Sequence, residues 1–222
     1  MRVLLLTKDT RFCEDAAQLA KFVFPELLWL KGRVGDPLPE ALKSERFAAV
    51  LSFVSPWILP EWLLDAGDVA LNFHPGSAEY PGTGCYNFAL YEGATTYGAV
   101  CHHMKSKVDT GDIVKEVLFR VVPNETVESL KFRTMVAMLE MFHEIAVLVA
   151  SGEPLPRAAR SWTRRPFTRK QLNALATLSP SMDPQEVQRR VRATTYPGYP
   201  GPGIEIGGVL FRAEVPNRPP VA

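Results

Sequence analysis

A chain of 222 residues can bury one good-sized core with room for a small appendage, and its 46% apolar and 22% charged residues match a soluble globular protein. Twenty-five Lys and Arg against 24 Asp and Glu leave a net charge of +1, which argues against a protein that holds nucleic acid chiefly by neutralising phosphates. No run reaches the roughly 20 consecutive apolar residues that span a bilayer. Residues 1–7 are too short for a signal peptide and read as a first strand. Three cysteines without a CxxC pair, Cys13, Cys85 and Cys101, suit a reduced, cytoplasmic setting.

The continuous apolar run at 3–7 has the pattern of a strand buried on both faces. Residues 12–24 carry Cys13, Ala16, Ala17, Leu19, Ala20 and Val23 near helical spacing, and Pro25 stops that helix. A short strand follows at 27–31, a short helix at 38–44 and another wholly apolar strand at 48–54. A helix is expected over 57–64, behind Pro56. The strand at 68–73 then leads to a polar pair at its C-terminal end, Asn72 and His74. This alternation is the signature of a mainly parallel α/β sheet, in which ligands bind beyond the carboxyl ends of strands.

After a Gly- and Pro-rich loop at 75–84, residues 85–92 read as a helix. Residues 97–104 and 113–121 read as a strand pair joined by a turn over 107–112. The longest helix is expected at 126–150, with Leu130, Met138, Phe142 and Ile145 in its apolar stripe and Gly152 as its terminator. Composition shifts at 153–156. A helix over 183–194, opened by Pro184, is followed by the run Tyr196-Pro197-Gly198-Tyr199-Pro200-Gly201. Two short strands around a Gly207-Gly208 hairpin turn end the pattern. The expected organisation is thus a domain at 1–152 and an appendage of linker, helix and β-hairpin at 153–222.

Side chains two apart on a strand share a face, so Asn72 and His74 can converge on one substrate atom. The histidine is an acid or base near neutrality, and the asparagine supplies an uncharged amide donor. An Asp that fixes the ring and favours its protonated form would complete an acyl-transfer site. Asp109, in the Gly-containing turn, is the best candidate, with Asp112 as its rival. On the residues alone, a turn cap beside a hydrogen-bonded structural histidine is an equal alternative. Cys101, His102 and His103 invite a metal reading, but alternation on a strand sends His102 to the face opposite the other two, so no metal site is expected.

Asn72-Phe73-His74-Pro75, the loop Tyr80-Pro81-Gly82-Thr83-Gly84 and Val108-Asp109-Thr110-Gly111-Asp112-Ile113 together resemble the folate-dependent formyltransferase family. The resemblance covers residues 1–150. It implies a Rossmann-like, mainly parallel sheet of the formyltransferase type, 10-formyltetrahydrofolate as co-substrate and no metal. It also implies catalytic roles for Asn72, His74 and Asp109, with His102 supporting them from behind. Trp57, Ile58 and Leu59 resemble the family's segment beside the pterin pocket, and Val108 and Asp112 join them on the folate side. Lys8, Arg11, Tyr80, Gly82, Thr83 and Gly84 would face the acceptor substrate. The chain departs from the pattern at Val100, where the family often has Thr.

The acceptor is read from loops. Lys8-Asp9-Thr10-Arg11 holds no glycine, unlike the phosphate loop of glycinamide ribonucleotide transformylases. Residues 75–80 hold no Lys or Arg, and the tail is too short for the RNA-binding barrel of methionyl-tRNA formyltransferases. The chain is most similar to short sugar N-formyltransferases acting on a GDP- or dTDP-linked 4-amino-4,6-dideoxyhexose. That implies lipopolysaccharide O-antigen synthesis in the cytoplasm, a small nucleotide-sugar partner, no membrane or nucleic-acid partner and a possible homodimer. A methionyl-tRNA formyltransferase, a formyltetrahydrofolate hydrolase and a non-catalytic folate or sugar-nucleotide binding module are the alternatives. Residues 157–170, with Arg157, Arg160, Arg164, Arg165, Arg169 and Lys170 interleaved by Trp162 and Phe167, read three ways. They fit a solvated connector with two aromatic anchors, a nucleic-acid surface, or a source of an arginine for a nucleotide diphosphate.

Overall fold

In a computed structural model that describes residues 1–214, a six-stranded sheet has the order β2-β1-β3-β4-β5-β6. Its strands are β1 (Arg2–Lys8), β2 (Glu26–Gly32), β3 (Phe47–Phe53), β4 (Gly67–His74), β5 (Thr96–His103) and β6 (Ile113–Arg120). The first four run parallel; β5 and β6 add antiparallel to one edge. The apolar runs at 3–7 and 48–54 make this so, because a strand with no polar face is stable only when covered on both sides.

Alternation along those strands divides two cores. Val3 and Leu5 of β1, Leu51 of β3 and Leu71 and Phe73 of β4 pack beneath α1 (Arg11–Val23) and α4 (Val127–Ser151). Leu4, Leu6 and Val50 face the opposite side, where Leu59, Leu63 and Leu42 cover them. Because Leu71 and Phe73 are committed to the α1–α4 side, Asn72 and His74 must emerge on the other.

The expected helix over 57–64 is a correction: only Glu61–Leu64 (α2) is helical. Pro60 precedes it, and a residue before proline is held out of the α region, so Trp57, Ile58 and Leu59 stay irregular. Likewise 38–44 tightens to a 3₁₀ turn over Glu40–Ser44 behind Pro39. Helix α3 (Cys85–Glu92) lies where the sequence puts it. Helix α4 opens with a capping box, Thr126 and Ser129 exchanging side-chain and backbone hydrogen bonds, and closes at Gly152. By length and hydropathy α4 alone among the described residues could cross a membrane, yet Leu130, Met138, Phe142 and Ile145 are fully buried in the core.

Beyond residue 153, two elements escaped the sequence reading: α5 (Arg169–Leu175) and β7 (Thr177–Leu178). Helix α6 (Pro184–Thr194), capped by Asp183, and the hairpin β8 (Gly203–Ile206) and β9 (Val209–Arg212) follow as expected. Gly207 and Gly208 both take positive φ, as a two-residue hairpin turn of right twist requires. Strand β7 pairs parallel with β8, making a second, three-stranded sheet. The expected appendage runs on to 215–222, outside the described residues.

Candidate active site

Three adjacent strands bring one polar row together. Register aligns Ser52 of β3 with Asn72 of β4, and Asn72 with His102 of β5. Ser52 Oγ donates to Asn72 Oδ1 at 2.8 Å, which fixes the amide so that its Nδ2 faces the open end of the sheet. Nδ2 lies 3.1 Å from His102 Nε2 and 3.4 Å from Asp109 Oδ1. A β-bulge between Cys101 and His102 aims the histidine at this row, while Cys101 is buried in the α1–α4 core.

Asp109 enters from the 107–112 turn with φ of 48°, a left-handed conformation that a non-glycine residue adopts only where its surroundings hold it. Its Oδ2 lies 3.2 Å from His74 Nδ1 and accepts from Gly82 N–H at 2.7 Å. Its Oδ1 lies 3.2 Å from His102 Nε2. Burial opposes ionisation of this carboxyl, but the charge of His74, the hydrogen bond and charge of His102 and the Gly82 N–H outweigh it. Together they hold the Asp109 pKa well below the usual carboxylate range.

The other His74 nitrogen, Nε2, lies 2.8 Å from the Tyr80 carbonyl. Both partners of this ring accept, so both contacts are hydrogen bonds only when each nitrogen carries a proton. His102 differs. Its Nδ1 donates to the His103 carbonyl at 2.8 Å, leaving Nε2 to accept from Asn72 when neutral or to donate to Asp109 when charged.

These groups open on a cavity of about 880 Å³. One part is walled by Trp57, Ile58, Leu59 and Val108, the first fixed by Nε1–H donation to the Asp36 carbonyl at 2.8 Å and by its ring lying on Gly32. Another part carries Lys8, Lys131 and Arg169, with Gly82, Thr83 and Gly84 between. Burial lowers the pKa of Lys8, and the nearby Lys131 and Arg169 lower it further. With Lys8, Lys131 and Arg169 against Glu128, the wall is cationic on balance, a site that gains by taking up negative charge.

Three expected site residues do not line this cavity. Arg11 is the exposed first residue of α1. Asp112 turns outward toward Lys105 at 3.5 Å, because the turn that presents Asp109 inward leaves it on the solvent side. Tyr80 buries its ring against Tyr97 and Phe167 and gives the site only its carbonyl. Conversely, Ser52, Lys131 and Tyr196 contribute without having been singled out for it, and of the basic segment it is Arg169 that lines the cavity. A serine inside the otherwise apolar run of β3 was the one readable signal among them. The basic 157–170 segment is tied down by Arg160 to Glu79 and Glu116 and by Arg164 to Glu92.

Residues 42–145, which hold Ser52, Asn72, His74, His102 and Asp109, match the family described as formyl transferase. The match spans a little under half of the chain. In sequence it is 26% identical over 153 residues to a methionyl-tRNA formyltransferase of Geobacillus thermodenitrificans, covering 65% of this chain and 47% of that protein. It thus spans about half the length of that relative. In structure, a 4-N formyltransferase from Francisella tularensis superposes with a TM-score of 0.81 at 14% identity, over 96% of this chain and 97% of that one. An N-formyltransferase from Helicobacter canadensis, solved with folinic acid and dTDP-3-aminofucose, gives a TM-score of 0.73 at 14% identity, over 94% and 85%. At such identities the likeness shows a shared fold, and the residues matched to the formyl transferase family include every strand that carries the polar row.

Proposed function

We propose that this protein transfers the formyl group of 10-formyltetrahydrofolate to the amine of a nucleotide-linked amino sugar. The observation that carries the reading is the buried Asn72–His74–Asp109 cluster opening on a cavity with one aromatic and apolar wall and one cationic wall. A flat pterin suits the Trp57–Leu59 side; a diphosphate suits Lys8, Lys131 and Arg169.

The neutral amine attacks the formyl carbon, forming a C–N bond and an oxyanion. Asn72 Nδ2–H and the His74 imidazolium stabilise that oxygen, since fixed donors aimed at developing charge are commonly the largest catalytic contribution. Delivering the His74 Nε2 proton to it exchanges the bond to Tyr80 O for one to substrate. Asp109 fixes the ring through Nδ1 and receives the proton shed by the amine, directly or through His74. Collapse re-forms the carbonyl, returning the oxygen's proton to His74, and breaks the bond between the formyl carbon and the folate nitrogen, which leaves with the proton that the amine shed.

A sugar acceptor is supported by structural neighbours described as a sugar N-formyltransferase and as an N-formyltransferase bound to dTDP-3-aminofucose, and by a 75–80 loop without Lys or Arg. A methionyl-tRNA acceptor is the second reading, favoured by the sequence relatives. Three buried free cysteines support a cytoplasmic setting, and the proposal places the enzyme in lipopolysaccharide O-antigen synthesis. The exposed apolar hairpin supports a homodimer. Incubation with 10-formyltetrahydrofolate and a panel of dTDP-, GDP- and UDP-linked amino sugars tests the proposal by release of tetrahydrofolate and by the mass of the product. Folate turnover that needs no amine, or transfer to methionyl-tRNA alone, refutes it.

A further inference from the structure

The catalytic histidines have a neighbour from outside the formyl transferase match. Trp162, in the basic segment after α4, stands edge-to-face to His74 with ring centroids 5.7 Å apart and to His102 at 5.2 Å. Its Nε1–H donates to the Gly111 carbonyl at 2.8 Å, two residues beyond Asp109. One side chain therefore touches both rings that meet Asp109 and also the turn that presents it.

The segment carrying this indole is held on both flanks. Ala158 N–H donates to Ile113 O, Thr163 N–H to Ala78 O and Phe167 N–H to Pro81 O, while Arg160 reaches the buried Glu116, whose other oxygen takes the Ala78 N–H. These bonds tie it to the loop after His74 on one side and to the end of the Asp109 turn on the other.

We propose that Trp162 is a positioning residue for formyl transfer, fixing the His74 and His102 rings and the Asp109 turn in the one arrangement where all three meet. This rests on the formyl-transfer reading above, but its structural part does not. A ring packed on one side only by a loop can tilt about its χ2; an indole wedged against two imidazoles removes that freedom from both. Edge-to-face aromatic contacts favour such geometry beyond the area they bury. Misplacement of a catalytic group by even an ångström lowers rates steeply. Asp109 faces both rings, and His103 lies near enough to His102 to feel its charge.

The test reads the imidazoles directly. With histidines labelled by nitrogen-15, the ring signals of His74 and His102 are titrated in wild type, Trp162→Phe and Trp162→Ala, with His143 on α4 as internal control. Transfer kinetics accompany them. Trp162→Ala should move both midpoints by about half a pH unit or more and leave His143 in place. It should lower kcat about 10- to 100-fold with KM for each substrate within about twofold. Trp162→Phe keeps a ring but loses the tether to Gly111, so it should restore the midpoints more than kcat. Unmoved midpoints with unchanged kcat, or a loss confined to KM, overturn the proposal. If circular dichroism shows Trp162→Ala unfolded, the Phe variant decides: wild-type ring signals and wild-type kcat overturn it. A wild type that formylates no acceptor refutes the proposed function, while the titrations still decide the role of Trp162.

Discussion

The Asp109 carboxylate meets the His74 imidazole at 3.2 Å between Oδ2 and Nδ1, with both side chains almost wholly buried. Asp109 thereby does two jobs at once: it presents its carboxylate to the His74 ring, and it anchors the Gly82 loop through a 2.7 Å bond. Removing the charge while keeping the shape separates them. Asp109→Asn should reduce transfer about 10²- to 10³-fold with the loop largely in place. His74→Ala should lose as much, because it removes both the donor and the cation. Single-turnover formyl transfer, which isolates chemistry from binding, checks both variants, and near-wild-type rates in either would remove the cluster from the mechanism.

The same carboxylate sets a pH dependence of stability. The folded-state pKa of Asp109 lies below its ordinary value of 3.8. Its contribution to stability is therefore complete above that value and is lost as pH falls through the carboxylate range toward the folded pKa. At pH 7, Asp109→Asn should be less stable than wild type by about 2 kcal/mol. That gap should narrow as pH falls below about 4. Urea titrations at a series of pH values test this; a gap that stays constant or widens on acidification contradicts it.

Much of this arrangement could be read from residues, and the limits were physical. The buried strands were legible because a wholly apolar run of five to seven residues admits few other structures. Asn72 and His74 followed from strand alternation. The helix over 57–64 was misread because an apolar pattern was weighed above the restriction that Pro60 imposes. Helix α5 passed unnoticed although Thr168 and Gln171 form a capping box, since its seven residues bury little beyond Leu175. The cationic wall was legible only in part: Lys8 and the basic 157–170 segment stood out, but Lys8, Lys131 and Arg169 are separated by more than 35 residues each and meet only through tertiary packing. Spacing placed Asp109 and Asp112 in the same turn, but which one faces inward is decided by the left-handed φ at Asp109.

Gly111 sits where β5 crosses closest to the Asp109 turn. A Cβ there would lie 1.6 Å from the His103 carbonyl oxygen, backbone that cannot swing aside. Gly111→Ala should therefore displace the turn, cost about 1–3 kcal/mol of stability and reduce transfer far more than that loss of folded protein explains. Thermal unfolding beside kinetics at a temperature where the variant is fully folded distinguishes the two effects. Wild-type kcat in the folded variant would mean that the turn tolerates displacement.

The cationic wall predicts a separation of binding from chemistry. Lys131 holds Tyr196 through a 2.9 Å bond and sits over its ring, so it is ordered before any ligand arrives. Lys131→Met should raise KM for the nucleotide-linked acceptor about tenfold, the worth of one hydrogen bond to a charged group, with kcat nearly unchanged. KM of the wild type should also rise with salt, and that rise should flatten in the variant. An effect on the KM for folate instead would assign this wall to the other substrate.

The hairpin carries the last prediction. Ile206, Val209, Leu210 and Phe211 are each more than half exposed, and β9 is the edge of its sheet. A four-residue edge strand with three consecutive apolar side chains is a standing template for pairing, which proteins ordinarily blunt with charge or cover. Only Arg212 and Glu205 provide charge on this hairpin among the described residues, and Arg212 is already drawn to the Gly201 carbonyl. A second copy of the same hairpin is the cover that a homodimer supplies. Phe211→Asp should then convert a dimer to a monomer in sedimentation velocity while leaving the catalytic cluster, which lies in the other sheet, able to turn over. A wild type that is monomeric at micromolar concentration, or a Phe211→Asp variant that remains dimeric, moves the interface elsewhere.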